Sequence, residues 1–295
     1  METNTLQIGQ MISGYRIDEF IGAGAFGKVY KISKENESGK HIAALKHISL
    51  PNEEQYQSVL RSMNNDHEQA ANYFATILKD INIEINTIKR LSQKSNMHII
   101  TYLDNDIVTT KEPLRYDVFI RMEYVQPFLK QPGKTRFTVN DVITVGLHIL
   151  EALKICHDNQ VIHRDIKDDN LFISDNGHYK IGDFGVSKVL ERSERAKTIK
   201  GTKAFLAPEV LSNNTYDETV DLYSLGIVLY KLVNTDRFPF MPPAPQPYFI
   251  DDMEQAIERR LNNETIPMPR LAPKAVGAVS LKDTARRAAR FNSEY

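Results

Sequence analysis

Asp165, Lys167 and Asn170 fall within six consecutive positions of the stretch Val161-Ile162-His163-Arg164-Asp165-Ile166-Lys167-Asp168-Asp169-Asn170-Leu171-Phe172-Ile173. A carboxylate can take the proton of an attacking hydroxyl, an ammonium can hold a phosphate oxygen, and an amide oxygen can bind a metal ion. Together they are the parts that phosphoryl transfer needs. Apolar residues on both sides predict buried ends and a rigid, exposed polar middle. Any one of these residues reads as well as part of a charged surface turn. The spacing of all of them points to chemistry.

Two further stretches supply groups that this one lacks. Gly22-Ala23-Gly24-Ala25-Phe26-Gly27-Lys28-Val29 has the spacing G-x-G-x-x-G-x-V. A dinucleotide-binding turn shares its first part but opens a helix. Here Val29, Tyr30 and Ile32 continue a β-rich stretch to about Gly39, so a strand–turn–strand lid is expected, whose glycine backbone can approach phosphates. Ile42-Ala43-Ala44-Leu45-Lys46-His47-Ile48 reads as a strand with one lysine among apolar neighbours. Near the other end, Tyr179-Lys180-Ile181-Gly182-Asp183-Phe184-Gly185 reads as a strand ending on Asp-Phe-Gly.

Helices and strands must position these groups. Residues 51–68 read as a polar insertion with one short helix. Phe74, Ile77, Ile81, Ile88 and Leu91 define one face of a long helix, and Glu84 falls within that stripe. A carboxylate there is costly unless paired, and Lys46 is the expected partner. Residues 98–125 read as two strands joined by a polar loop at 109–115. Residues 139–158 form an amphipathic helix through Val142, Val145, Ile149, Leu150, Leu153 and Ile155, with capping side chains at Thr138–Asp141. Residues 186–206 are polar and basic. An apolar helix runs from Val220 through Leu232, a proline-rich loop covers 239–247, and Asp251–Leu261 reads as a last helix.

The composition is that of an ordinary globular chain, with 41% hydrophobic and 25% charged residues among 295. The net charge of -1 gives no global basic field of the kind nucleic-acid binders carry. With one cysteine, Cys156, the chain can form no internal disulfide or thiolate cluster, which fits a cytoplasmic setting. Cys156 itself reads as packing. The polar, acidic start is unlike a signal peptide, and no apolar run is long enough to span a membrane.

In this order the stretches resemble the eukaryotic-like (Hanks-type) Ser/Thr protein kinases, over roughly residues 15–290. The implied fold is α+β and bilobal: a small antiparallel β-sheet lobe with one helix, about 15–124, and a larger mainly helical lobe, about 125–290. Residues 1–14 are a lead-in and 291–295 a tail. The resemblance implies ATP and Mg²⁺, with transfer of the γ-phosphate to Ser or Thr of protein substrates. Asp165 aligns the hydroxyl and Lys167 holds the γ-phosphate. Lys46 takes the α/β-phosphates and pairs with Glu84. Gly22, Gly24, Gly27, Val29, Ala44 and Phe172 belong to the ATP-binding residues, as do Glu123 and Val125 through their backbone, with Met122 as gatekeeper. Asn170 and Asp183 are the metal ligands. Asp221 braces the catalytic loop, with Tyr223 where the family has tryptophan. Asp168 stands where proline is common. Ala207-Pro208-Glu209 and Gly201-Thr202 resemble the end of an activation segment, in which Ser193 or Thr198 is an expected phosphorylation site facing Arg164.

The resemblance weakens at the tail. The arginine that should pair with Glu209 is expected about where the sequence stops, with Arg286, Arg287 and Arg290 as stand-ins, so the domain reads as truncated. The short N-terminus and hinge region look more like bacterial members. The rival readings are a pseudokinase, an ATP-binding scaffold without transfer, and a small-molecule kinase. All the chemical groups are present, which disfavours the first; the segment Gly201–Glu209 disfavours the second.

Overall fold

The computed structural model describes residues 5–24, 27–94, 96–130, 137–184, 202–212 and 215–269. Two compact units are built from them. The first takes residues from 1–95, 100–125 and 183–198, the second from 96–99, 126–182 and 199–295. The expected α+β class is the observed one, with the large sheet in the first unit and most of the helices in the second.

The first unit holds an antiparallel sheet in the order β1-β2-β3-β4-β6-β5. Its strands are β1 (Met11–Ile12), β2 (Tyr15–Gly24), β3 (Gly27–Asn36), β4 (Gly39–Leu50), β5 (Tyr102–Lys111) and β6 (Leu114–Glu123). The loop expected over 109–115 is much tighter, since β5 and β6 pair as far as Lys111 opposite Leu114. The pairing of Met11 and Ile12 with β2 has no signal in the sequence.

Alternate side chains of a strand point to opposite faces, and β4 is buried on both. Ala43 and Leu45 join Ile17, Tyr30, Ile32 and Phe119 in one cluster. Ile48 and Leu50 join Phe74, Ile77, Ile81, Ile85, Val118 and Ile120 in another. Lys46 shares its face with Ile48 and Leu50, toward the helix that carries Glu84. Double burial makes β4 a rigid mount for a charged side chain that is only 11% exposed.

Helix α1 (Glu53–Ser62) is the short helix of the insertion, closed by a capping box between Asn52 and Gln55. Helix α2 (His67–Ser92) starts earlier than its apolar stripe, where Asp66 accepts hydrogen bonds from the N–H groups of Glu68 and Gln69. Its buried residues are Ala70, Phe74, Ile77, Ile81, Ile85 and Leu91, while Ile88 is only partly buried. Ile85 therefore takes the core position after Ile81, and Glu84 lies half-buried at the edge of the stripe. Positions three and four residues on from Ile81 fall on the same helix face, and the apolar one wins the core.

In the second unit, α3 (Val139–Asp158) begins at Thr138, in a reciprocal cap with Asp141. It packs on α5 (Thr219–Val233) so closely that a Cβ on Gly146 would meet Leu229 at 3.3 Å. A three-stranded sheet joins β7 (Gln126–Pro127), β8 (Leu171–Ile173) and β9 (Tyr179–Ile181). Helices α4 (Pro208–Leu211) and α6 (Ile250–Leu261) complete the described α-helices. No described helix is long and apolar enough to cross a membrane.

The glycines of the lid differ in what the fold asks of them. A Cβ on Gly27, whose φ is +154°, would lie 2.5 Å from the His47 carbonyl oxygen, whereas Gly22 and Gly24 have nothing within 4 Å of that position. Gly27→Ala is therefore expected to cost about 1–3 kcal/mol, the range for overpacking. Gly24→Ala should change stability by less than about 0.5 kcal/mol. Urea unfolding of the two variants checks this; equal losses would contradict it.

Candidate active site

On the first unit, Lys46 sits opposite Val29 on β3 and opposite Ile120 on β6. Ala44 sits opposite Met122, and Gly22 opposite Val29. The register thus brings the lid, the lysine strand and the end of β6 together. Lys46 forms an ion pair with Asp183, and Glu84 lies half-buried on α2, the helix that faces the Lys46 side of β4. Asp183 has a left-handed backbone with φ +59°. That conformation carries strain of the kind that gathers at functional sites, and it turns the carboxylate toward the Lys46 ammonium.

At the end of β6, Glu123 donates its N–H to Thr101 O at 2.9 Å and accepts from Thr101 N–H through its side chain at 2.6 Å. Its N–H is thus committed within the protein, so an adenine contact expected at Glu123 falls to its carbonyl oxygen. Val125 is half-buried.

On the second unit, Asp165, Lys167 and Asn170 form one hydrogen-bonded group. Lys167 Nζ is 2.8 Å from Asp165 Oδ2. Asn170 Nδ2 donates to both the main-chain oxygen and Oδ2 of Asp165, each at 2.8 Å. Asn170 is buried, whereas Asp165 and Lys167 keep partial exposure, at 13% and 20% of their side chains. The amide nitrogen of Asn170 is spent on Asp165, so its oxygen is the atom left for a ligand. Phe172, in β8, is half-buried.

The loop hangs from Asp221 at the start of α5. This carboxylate is fully buried and accepts hydrogen bonds from the backbone N–H of His163 at 2.8 Å and of Arg164 at 2.6 Å. His157 Nε2 is 2.9 Å from its Oδ2. The His163 ring is fixed at both ends: Nδ1 accepts from Asp165 N–H at 3.3 Å, so Nε2–H donates to Gly182 O at 3.0 Å. Gly182 N–H in turn donates to Asn170 O at 3.0 Å. Arg164 has a left-handed backbone, φ +66°, and its guanidinium lies over the Tyr216 ring. Burial pushes the Asp221 carboxyl up, but the His157 hydrogen bond and the two backbone N–H donors outweigh it and hold it below its ordinary value.

Some of the site has no obvious signal in the sequence. Asp168 forms a buried ion pair with Lys231 of α5. The charge of Asp168 holds the Lys231 ammonium in its protonated form against the cost of burial. His157, which backs Asp221, was not singled out. Arg260 of α6 is buried, donates to Ala204 O at 2.7 Å and lies beside Tyr223. Cys156 is buried and its thiol is pushed up to about 12, mainly by burial, which suits the packing role expected of it. The expected phosphorylation sites Ser193 and Thr198, and the arginines Arg286, Arg287 and Arg290, lie outside the described residues.

The family model for the protein kinase domain matches residues 15–278. The chain belongs to the protein kinase domain family. This kinase domain is 31% identical over 237 residues to the serine/threonine-protein kinase Nek5 of Mus musculus, covering 78% of this chain and 32% of that protein. It is 32% identical over 185 residues to the probable serine/threonine-protein kinase CPE1738 of Clostridium perfringens, covering 60% and 26%. It is 29% identical over 261 residues to Aurora kinase A-A of Xenopus laevis, covering 88% and 54%. The chain thus spans about a third or less of the length of the first two proteins, one eukaryotic and one bacterial.

Asp221→Asn leaves one amide nitrogen facing N–H donors in a buried site. Its expected cost is about 2–4 kcal/mol in chemical unfolding at pH 7. The pH dependence has a definite sign. A carboxyl held below its unfolded value of about 3.9 stabilises the fold above that value, and the stabilisation is lost as the pH falls through the folded value. The wild-type protein should therefore lose stability over that acid range, and Asp221→Asn should lose less. Parallel acid-unfolding curves for the two would contradict the assignment.

Proposed function

We propose that this kinase domain transfers the γ-phosphate of ATP to serine or threonine hydroxyls of proteins. The observation that carries the reading is the Asp165 carboxylate, held between Lys167 and Asn170 on a loop whose backbone Asp221 anchors. The substrate hydroxyl attacks the γ-phosphorus, the bond to the bridging oxygen of ADP breaks, and Asp165 accepts the hydroxyl proton. Lys167 offsets charge on the transferred group. Lys46 exchanges Asp183 for the α/β-phosphates. The open space beside Gly22 and Gly24 supports a close phosphate approach, and Ala44, Val29, Phe172 and the backbone of Glu123 and Val125 receive the nucleotide.

The Asn170 amide oxygen and the Asp183 carboxylate are hard oxygen donors of the type Mg²⁺ prefers. When bound, the ion neutralises phosphate charge and fixes phosphate geometry. Glu84 is the residue we assign to keeping Lys46 in place. The choice of serine and threonine rests on Lys167 together with Thr202. A single, inert cysteine supports a cytoplasmic setting. Phosphorylation at Ser193 or Thr198 is the regulatory step in this reading, with Arg164 as the receiving cation.

Incubation with labelled ATP and Mg²⁺ tests the proposal. The wild-type protein should phosphorylate itself or a Ser/Thr substrate, with Asp165→Asn about 10²–10⁴-fold slower while still binding ATP. ATP binding with no transfer above the Asp165→Asn level would make the protein a scaffold instead. For regulation, phosphatase treatment or Ser193→Ala with Thr198→Ala should lower activity; unchanged activity in both would remove that part of the reading.

A further inference from the structure

Three imidazoles of the second unit take no part in the phosphoryl-transfer reading. His98 precedes Ile99, His148 lies on α3, and His178 precedes β9. One ring nitrogen from each falls within 4.8 Å of the others. The rings of His98 and His148 stack at 4.1 Å, and the His178 ring lies 5.6 and 5.7 Å from them. Glu151, three residues after His148 on α3, places Oε2 3.2 Å from His98 Nε2, and its side chain is 61% exposed. The cluster therefore has a buried floor, His98, and a solvent-facing carboxylate.

The backbone of Tyr179 holds two of the rings. Its oxygen lies 2.9 Å from His98 Nδ1, and its N–H donates to His148 Nδ1 at 3.2 Å. The first contact gives His98 the tautomer in which Nε2 carries a lone pair, backed by a carbonyl as metal-bound histidines usually are. His178 Nδ1 is buried with no hydrogen-bond partner, an unfavourable state unless something satisfies it.

We propose that His98, His148, His178 and Glu151 form a zinc-type transition-metal site that staples α3 to the segment entering β9. Three imidazoles and one carboxylate are a donor set for Zn²⁺ rather than for Mg²⁺, which takes oxygens. The His98–Glu151 separation of 3.2 Å is close to the spacing of about 3.3 Å between two ligands of a tetrahedral ion with bonds of about 2.0 Å. Other pairs must close by up to about 1.5 Å to reach the same spacing. His148 and His178 are half-buried, so their rings have room to turn, and His148 exchanges the Tyr179 N–H for the ion. The site is independent of the kinase reading.

Metal binding to the whole, nucleotide-free chain after chelator treatment tests the proposal. Co²⁺ should bind one per chain with the intense visible bands of tetrahedral coordination. Stoichiometric Zn²⁺ should displace it, and millimolar Mg²⁺ should not. Zn²⁺ should raise the melting temperature. His148→Ala and His178→Ala should each weaken binding at least tenfold, with metal-free melting close to wild type. If a variant fails to fold, Glu151→Gln, at an exposed position, gives the same comparison. The proposal is overturned if the wild-type chain binds no Co²⁺ or Zn²⁺ at one per chain, if Mg²⁺ displaces the ion, or if these variants bind as wild type does.

Discussion

A fully buried carboxylate cannot stay charged without hydrogen bonds, and Asp221 finds them in the backbone of the loop it supports. Its two oxygens take the N–H groups of His163 and Arg164, consecutive residues of that loop. The left-handed backbone of Arg164 is tolerable because this anchor holds it. From the bend, Asp165, Lys167 and Asn170 follow in a fixed geometry, and the His163 ring carries the constraint on to Gly182. One buried charge thus holds the loop that carries Asp165, Lys167 and Asn170.

The first unit reaches a similar end by different means. Lys46 is placed by packing, on a strand with apolar clusters on both faces. Its neighbours across the sheet, Val29 and Ile120, are apolar. Of the lid glycines, Gly27 is demanded by the His47 carbonyl, while Gly22 and Gly24 are demanded by nothing among the described residues. Glycine at those two positions makes sense if a ligand approaches the backbone there.

The sequence showed most clearly what is local. The Thr138–Asp141 cap, the start of β2 and the loop from His163 to Asn170 could be read from consecutive residues, because turn chemistry and periodicity act over a few positions. Asp221 could be expected only through the family resemblance. On α2 the stripe of Phe74, Ile77, Ile81 and Leu91 is buried as periodicity predicts, while Ile85 takes the core position and Ile88 is only partly buried. Contacts made by the fold alone left no trace. Asp168 and Lys231 are 63 residues apart. His98 and His178 have no shared pattern with His148 that spacing could reveal.

If Asp221 holds the loop that carries Asp165, Lys167 and Asn170, its loss should slow transfer and leave the groups assigned to ATP on the first unit as they are. Steady-state phosphorylation by the Asp221→Asn variant, under conditions where it remains folded, checks this. The expected result is kcat lowered by about 10²-fold, the penalty of a displaced catalytic group, with the Kd for ATP close to wild type. A folded variant with wild-type kcat, or one that loses ATP binding in step with turnover, would contradict it.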